Sequence, residues 1–402
     1  MIHNIPDLRN ERTTLGDSAP RTAGILAVVG VAAVTVAVVA GTLRGDGLRY
    51  FQHAWLVNFC YYLSISIGGL FFVAMLHVTR AGWGVVIRRI AEVLAANFTL
   101  LAILFLPLLF GLGSLYEWAD PLATPDELIE HKAPYLNPAF FAARAAGYFI
   151  IWWLLSRFFF RRSVEQDASG NVQLTLQMER WSGPALLLLA LTVTFAAFDW
   201  LMSLDARWAS TIFGLYYFAG AMVAILAIVP LAAMALQARG RLRHTVNAEH
   251  YHDLGKLLFA FVIFWGYMAF SQYMLIWYAN IPEETAWYRL RTSGPWGGVA
   301  VVLLFAHLLI PFLGLMPRAA KRRKPLLAFW AVWLLAVHWL DLYWLVMPGL
   351  SGKTLPFGAI DLFLLVGMGA LYAAGAIWTA GRRSLVPLKD PRLAESLAFE
   401  NM

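Results

Sequence analysis

The stretch that decides the fold is FDWLMSLDARWASTIFGLYYFAG, residues 198–220. It contains the end of one apolar run, a short polar link over residues 203–210, and the start of the next apolar run. If both runs cross a membrane, Asp199 lies just beneath one surface, where an ionised carboxylate is costly unless it is paired or reached by water. Trp200 stands at the level where interfacial aromatic residues are common. An acid held at a membrane surface is the first indication of function.

The composition indicates a polytopic membrane protein. Of the 402 residues, 60% are hydrophobic and 14% are charged, whereas soluble domains carry about 25% charged residues. The single cysteine, Cys60, excludes an internal disulfide, a four-thiolate iron–sulfur cluster and attachment of a c-type haem. We therefore expect no metal site and no cofactor bound by this chain alone.

Ten apolar runs are long enough to cross a membrane as helices, since a span needs about 20 mainly apolar residues and irregular backbone cannot face lipid. In chain order they cover residues 22–43, 51–78, 85–114, 135–160, 181–203, 208–237, 255–279, 294–316, 324–347 and 357–381. Spans 2–5 and spans 6–9 each form an up-down set of four, which permits two four-helix bundles flanked by spans 1 and 10. The predicted fold class is an all-α polytopic membrane protein, with an N-terminal segment 1–21 and a C-terminal tail 382–402.

The distribution of Lys and Arg predicts the orientation. Of the 31 basic residues, 23 fall on the side of the two termini and seven on the other side, and only Arg144 falls within a span. Because cytoplasmic loops are enriched in Lys and Arg, we expect both termini to be cytoplasmic. The basic residues behind the net charge of +7 then fix the orientation of the chain and contact anionic lipids. We therefore expect lipids as partners and do not expect nucleic acid.

Ionisable and hydroxyl groups inside the spans carry most of the functional information, because such groups are rare in membranes without a function. His338 and Asp341, three residues apart on span 9, share one helix face. The candidates for a proton path are Glu92, Arg144, Asp199, Tyr267, Gln272, His307, His338, Asp341 and Asp361. Their three aspartates would lie near the mouth of the path on the side away from the termini.

Each of these residues also has a structural interpretation. Asp199 and Asp361 lie near span ends, where they would reach water, and Arg144 would pair with one of the aspartates. Glu92 follows Arg88 by four residues, a spacing that suits a helical ion pair.

The histidines and the loops leave further alternatives open. His307 would be satisfied by a backbone carbonyl in the core, or would ligate a b-type haem together with His338. The acidic connector 115–134 would be a docking surface if ordered, and otherwise a solvated loop.

Two stretches resemble a known family: FDWLMSLDARWASTIFGLYYFAG (198–220) and FWGYMAFSQYMLIWYANIPEETAWY (264–288). With the ten spans, they make the chain resemble the second NrfD-like (polysulfide-reductase-like) membrane subunits of bacterial alternative complex III, the ActF family. The resemblance implies two four-helix bundles with flanking helices, in a complex of the bacterial inner (plasma) membrane that oxidises quinol and reduces cytochrome c or an oxidase. It also implies partners: a paralogous NrfD-like subunit, an iron–sulfur subunit and c-type cytochromes, which hold the iron–sulfur clusters and c haems.

The resulting functional expectation is a subunit without catalytic residues that supplies a proton-conducting path to this quinol oxidation, and with weaker support a quinone pocket. Trp200, Tyr273 and Trp277, with His338 and Asp341, would line that pocket. One alternative is an assembly anchor with no proton or quinone role.

A second alternative is an independent secondary transporter. It would require broken helices at matching places in the two halves, and Pro107, Pro230 and Pro311 do not match in that way.

Overall fold

A computed structural model describes residues 8, 11–124, 126–352 and 354–400 of the chain. Its regular secondary structure is entirely helical over those residues, apart from one isolated bridge between Thr14 and Ser384. Ten of the helices are long and apolar enough to cross a membrane. The chain is therefore an all-α, multi-pass membrane protein, as predicted.

The spans are numbered here in chain order, and shorter helices lie within or between them. Spans 1 to 10 are Ala19–Leu43, Arg49–Val78, Gly82–Phe110, Pro138–Ser169, Val172–Leu204, Phe213–Ala238, Ala248–Ala279, Gly294–Leu315, Lys324–Ser351 and Ala359–Ala380. The short helices outside the spans are Leu112–Leu115, Glu117–Ala119, Glu127–His131, Pro282–Thr292, Arg318–Arg322 and Leu393–Leu397. We call the side on which span 1 begins and span 10 ends the terminal face, and the other side the opposite face.

Spans 4 and 5 are longer than their apolar runs. Span 4 was predicted to end at residue 160 and span 5 to begin at 181, whereas the helices extend to Ser169 and from Val172. Helical structure continues into the polar residues because nothing interrupts it before Gly170, whose φ of +66° closes the first helix in the left-handed conformation. Hydropathy marks the membrane crossing, and the helix end is set by the cap.

Two spans are irregular, which hydropathy did not predict. Span 3 consists of helices Val85–Ala95 and Phe98–Phe110 that meet at Asn97. Span 8 contains a π-helical turn at Leu304–Leu309. π-helical turns are rare and are often found at functional sites.

The arrangement is two bundles with an outer pair. Spans 2–5 pack into the first bundle and spans 6–9 into the second. The two bundles meet mainly where span 2 packs against spans 6 and 9, and spans 3 and 5 also contact span 6. Spans 1 and 10 pack along each other as an outer pair, with span 10 against span 2. Spans 2 and 6 approach closely at Gly68, where a Cβ would lie only 2.4 Å from the carbonyl oxygen of Ala221.

The residues after span 10 are packed on the terminal face, at least as far as residue 400. Arg88 donates to Asp390 at 2.7 Å, and Arg392 pairs with Glu179 at 2.6 Å. The hydroxyl of Ser396 donates to the carbonyl of Trp83 at 2.7 Å. The predicted tail is thus a docked segment that ties spans 3 and 5 together.

Candidate functional site

Asp199 forms a closed ion pair in the first bundle. Arg144 on span 4 donates from Nε to Oδ2 at 2.8 Å and from Nη2 to Oδ1 at 2.9 Å, and the Tyr148 hydroxyl donates to Oδ2 at 2.8 Å. The remaining Arg144 nitrogen donates to the carbonyl of Tyr135 at 2.8 Å. Asp199 is fully buried and its charge is compensated within the protein, so this pair has the geometry of a structural bridge between spans 4 and 5.

Glu92 lies in an ion-pair cluster at the terminal face. Its carboxylate is 3.0 Å from Arg88 Nε and 2.9 Å from Arg89 Nε. Arg88 continues to Asp390 at 2.7 Å, and Arg89 to Asp167 at 2.9 Å. Glu92 is therefore the centre of a network that connects spans 3 and 4 with the segment after span 10.

Asp361 caps the first turn of span 10. Its Oδ2 accepts the backbone N–H of Gly358 at 2.9 Å and the hydroxyl of Tyr50. That hydroxyl also contacts the carbonyl of Pro356. A carboxylate at a helix N-terminus satisfies free backbone donors and suits the helix dipole, so Asp361 has a local structural role.

Asp341 differs from the other three predicted acids because its carboxylate has no basic partner among the described residues and caps no helix end. The Tyr216 hydroxyl on span 6 donates to Oδ1, and the Trp265 indole on span 7 donates to Oδ2 at 3.1 Å. Among the described residues no cation pairs with it, and only 2% of its surface is exposed. A buried acid in such surroundings is costly in its ionised form, which marks it as a functional candidate.

His307 lies beside this acid, in the π-helical turn of span 8. Its imidazole stacks on the Trp265 indole with the ring centroids 3.7 Å apart. The residue is fully buried, and neither ring nitrogen has a hydrogen-bond partner among the described residues. Buried polar atoms are usually satisfied by protein or ordered water, so both nitrogens can form a hydrogen bond with a small polar molecule such as water.

His338 completes the group and connects it to the first bundle. Its Nε2 is 3.0 Å from the hydroxyl of Ser64 on span 2, and its ring centroid is 6.4 Å from that of His307. Span 6 admits the ring because residue 220 is glycine: a Cβ there would lie 2.6 Å from Cε1 of His338. We call the six residues Ser64, Tyr216, Trp265, His307, His338 and Asp341 the central cluster.

A polar relay leads from the neighbourhood of the cluster to the opposite face. The amide of Gln272 donates to the Tyr288 hydroxyl at 3.0 Å, and its carbonyl accepts from the Ser210 hydroxyl at 3.0 Å. Burial raises the pKa of Tyr288, which also interacts electrostatically with Asp341. Ser210 belongs to the link between spans 5 and 6, so the relay of Ser210, Gln272 and Tyr288 ends at the surface loops.

Arg291 adds a positive charge above the cluster. Its guanidinium stacks on Trp287 at 3.6 Å and donates to the carbonyl of Leu345 at 2.8 Å. Leu345 is one turn beyond Asp341 on span 9, about 6 Å along the helix axis. Burial lowers the pKa of Arg291 to about 9. No carboxylate pairs with it in the described part of the chain, so its field favours negative charge nearby.

No family model matches this sequence, and no curated protein matches it either.

The predicted path residues separate into distinct places. His307, His338 and Asp341 come together in the central cluster, and Gln272 lies in the relay. Tyr267 does not join them: 62% of its surface is exposed on the outside of span 7. Arg144 and Asp199 pair with each other, while Glu92 and Asp361 lie in the terminal-face network and the span 10 cap.

The structure does not gather the predicted quinone-pocket residues. Trp200 is buried among aromatic rings of the first bundle, with the centroid of Phe105 at 4.7 Å. Tyr273 and Trp277 are 41% and 64% exposed on the outer surface of span 7. Trp200 thus lies inside the first bundle while the other two side chains face outwards, so a pocket built from all three stays a prediction.

The histidine geometry also bears on metal and haem binding. Among the described residues, no group of three or more His, Cys, Asp or Glu is placed to hold a metal ion. For a haem between His307 and His338, each ring would have to direct a nitrogen at the iron. Instead Nε2 of His338 is 3.0 Å from the Ser64 hydroxyl, and the Nδ1 side of the ring packs against Gly220 of span 6. The donor set fits a hydrogen-bonding role better than haem ligation.

Trp265, Ser64, Tyr288 and Arg291 were not predicted as site residues. They come from three different parts of the chain, and only the packing of spans 2, 7 and 9 brings them together. One signal was present: Trp265 and Gln272 are seven residues apart and therefore share a helix face.

Proposed function

We propose that the chain is a membrane subunit of a quinol:cytochrome c or quinol:oxidase oxidoreductase complex, and that the central cluster and the relay form its proton-conducting path. In this proposal the protein lies in the bacterial inner membrane with the terminal face towards the cytoplasm. The iron–sulfur clusters and c haems belong to partner subunits: an iron–sulfur protein, c-type cytochromes and a paralogous NrfD-like subunit. The resemblance of residues 198–220 and 264–288 to alternative complex III subunits supports this assignment.

The observation that carries the proton role is the environment of Asp341. Its two donors are the neutral Tyr216 hydroxyl and Trp265 indole, so no permanent positive charge holds the carboxylate in its ionised form. In contrast, Asp199 is held by the permanent charge of Arg144. A transferable proton needs a group of the first kind.

The neighbours of Asp341 provide the next positions for a proton. The imidazoles of His307 and His338 can each accept one proton and release another. Gln272 and Tyr288 continue towards the opposite face through hydrogen bonds of 3.0 Å. The described polar groups therefore suit an exit half-channel that opens at the opposite face.

This arrangement matches the chemistry of quinol oxidation. Oxidation of a quinol to a quinone releases two electrons and two protons. The electrons need metal centres, which partner subunits would hold. The protons need protonatable groups that reach water on one side, and the central cluster with its relay offers such groups.

The assembly-anchor alternative gains support for part of the chain. The Arg144–Asp199 pair and the Glu92 network link helices and are fully paired. We assign these residues to stability and restrict the proton role to the central cluster and relay. The exposed positions of Tyr273 and Trp277 give no support for a quinone pocket built from them.

The test is quinol-driven proton movement by the whole complex reconstituted in vesicles, with Asp341→Asn compared at equal turnover. The matched control is Asp361→Asn, the same substitution at a buried aspartate with a capping role. We expect a lower proton-to-electron ratio for Asp341→Asn and an unchanged ratio for Asp361→Asn. An unchanged ratio in both variants, with both complexes intact, would assign Asp341 to structure and favour the anchor.

A further inference from the structure

A cleft of about 860 Å³ lies between the outer pair and the first bundle, next to the terminal face. Its walls come from spans 1, 3, 4 and 10, and they are mainly apolar, with Ala27, Leu100, Ile103 and Leu371 among them. The volume is in the upper part of the range of about 300–1,000 Å³ that is typical of ligand sites. The site is separate from the central cluster, which lies between spans 2, 6, 7, 8 and 9.

Three arginines lie at the end of this cleft nearest the terminal face. Arg157 and Arg161 are one turn apart on span 4, and Arg383 follows the end of span 10. All three are exposed, and within the described residues none of them pairs with a carboxylate. Arg383 donates one hydrogen bond to the carbonyl of Thr379, one turn earlier, at 2.6 Å. The other contacts are weak: Arg157 lies 5.1 Å from the Trp153 ring and Arg383 lies 5.5 Å from the Phe160 ring.

Some arginines of the terminal face have a counter-charge; others, such as Arg239 and Arg318, have none among the described residues but do not line this cleft. Arg88, Arg89 and Arg392 on the same face all have carboxylate partners within 3.0 Å. Three guanidinium groups around one apolar cleft therefore form a local excess of positive charge. Arginine binds phosphate oxygens through two parallel N–H donors, which makes such a group a good phosphate site.

We propose that the cleft binds one anionic phospholipid. The phosphate lies among Arg157, Arg161 and Arg383, and the acyl chains fill the apolar cleft between the outer pair and the first bundle. Basic pockets between membrane helices on the cytoplasmic side are a known way of holding anionic head groups. The cytoplasmic leaflet follows from the proposed topology, whereas the lipid site itself depends only on the cleft and its arginines.

The tryptophans at the cleft support an amphipathic ligand at this depth. Trp153 is 38% exposed and Trp378 is 74% exposed, on opposite walls. Indole rings prefer the interface between head groups and acyl chains. The two rings therefore mark the level at which a phospholipid changes from polar to apolar.

The positive charge of the three arginines favours an anionic phospholipid over the other amphipathic ligands that the cleft could hold. A quinone has a neutral head group, so the three arginines would not attract it by their charge. A zwitterionic lipid carries its own positive group, which the arginines would repel. An anionic phospholipid is complementary to both the apolar walls and the charged end.

The experiment is native mass spectrometry of the purified full-length protein with phosphatidylglycerol or phosphatidylcholine of equal chain length. The test variant is Arg157→Gln/Arg161→Gln/Arg383→Gln. The control variant is Arg239→Gln/Arg318→Gln/Arg323→Gln, which removes the same charge from exposed positions on the terminal face. A cleft-filling variant, Ala27→Trp, tests the apolar part separately.

We expect wild type and the control variant to retain one phosphatidylglycerol at least ten times more tightly than phosphatidylcholine. The test variant should lose that preference, and Ala27→Trp should lose the bound lipid. Equal affinity for the two lipids in wild type, equal loss in the control and test variants, or a co-purified quinone in the cleft would each overturn the proposal. So would a complex in which a partner helix occupies the cleft. These outcomes do not depend on the proton measurements, so the two proposals can fail independently.

Discussion

Arg144 holds both carboxylate oxygens of Asp199, through Nε at 2.8 Å and Nη2 at 2.9 Å. The pair joins spans 4 and 5 inside the first bundle, and the Tyr148 hydroxyl adds a third donor at 2.8 Å. The second bundle carries its buried acid, Asp341, without any such cation. This contrast underlies the proposed division between a pair that stabilises the fold and an acid that transfers protons.

Removing one partner of the Arg144–Asp199 pair should destabilise the protein without changing proton yield. Asp199→Asn leaves a largely buried guanidinium without its counter-charge, and breaking a buried pair in this way costs about 3–5 kcal/mol. The measurement is thermal unfolding in detergent, followed by the proton-to-electron ratio of the surviving complex. The double variant Arg144→Met/Asp199→Leu should recover much of the stability, because it removes both charges together. A stable Asp199→Asn protein with a reduced proton ratio would contradict this division of roles.

Gly220→Ala should disrupt the central cluster. Its new Cβ would lie 2.6 Å from the His338 ring, so the imidazole must shift, which disturbs its contact with Ser64. We expect a lower proton-to-electron ratio, in the same direction as for Asp341→Asn.

The matched control is Gly147→Ala on span 4, where a new Cβ meets no atom within 4 Å. There the substitution should be neutral or stabilise the helix by up to about 1 kcal/mol. If both alanine variants behave alike, the close packing of His338 on span 6 has no functional role.

Gln272→Leu should slow proton release while leaving the fold intact. The substitution removes the hydrogen bonds to both Ser210 and Tyr288 but keeps a side chain of similar volume. Loss of two hydrogen bonds of this kind costs about 1–3 kcal/mol in stability. The measurement is the rate of proton appearance outside vesicles after a quinol pulse. Gln237→Leu, a buried glutamine near the terminal face, is the control that should reduce stability alone.

Acid should release the connector 115–134 from the link between spans 5 and 6. Hydrogen bonds from Arg207 at 2.6 and 2.8 Å hold the pKa of Glu117 below its usual value of 4.5. A lowered pKa in the folded state means that this contact contributes stability above the ordinary pKa. The contribution is lost as the pH falls through the lower, folded-state value.

Limited proteolysis of the connector between pH 3 and pH 7, with an acid-tolerant protease, measures this release. Wild type should become sensitive only at the acid end, and Glu117→Gln should be sensitive throughout. A wild-type connector that is cut equally at every pH would refute the role of the ion pair. A second contact, from the Trp118 indole to the Ser203 carbonyl at 3.2 Å, also links the connector to residues 203–208.

Hydropathy predicted the ten crossings because a membrane helix needs a long apolar run, and each such run is visible in one sequence. Ion pairs within one helix could also be predicted: the pair of Glu92 with Arg88 follows from their spacing of four residues. The hydrogen-bond donors around Asp341 could not be predicted from the sequence in this way. Its donors are 76 and 125 residues away in sequence, and their approach depends on how each helix is rotated.

Span 7 illustrates the effect of rotation. Trp265 and Tyr267 are two residues apart, which places them about 200° apart around a helix. Trp265 is 4% exposed and Tyr267 is 62% exposed. A list of polar and aromatic residues cannot separate the two, because both types are common in the core and at the membrane interface. The face that packs against span 9 decides which one contacts Asp341.

The docked segment after span 10 has a consequence for biogenesis. Arg88 and Arg89 leave the ribosome with span 3, but Asp390 and the Ser384 carbonyl, which receive their hydrogen bonds, are translated only after all ten spans. Span 1 likewise waits for span 10, its main packing partner. Until then Arg88 has only Glu92 as an ion-pair partner, and Arg89 has Glu92 and Asp167. The network at the terminal face is therefore completed only when the residues after span 10 have been translated, and an interrupted chain would lack part of it.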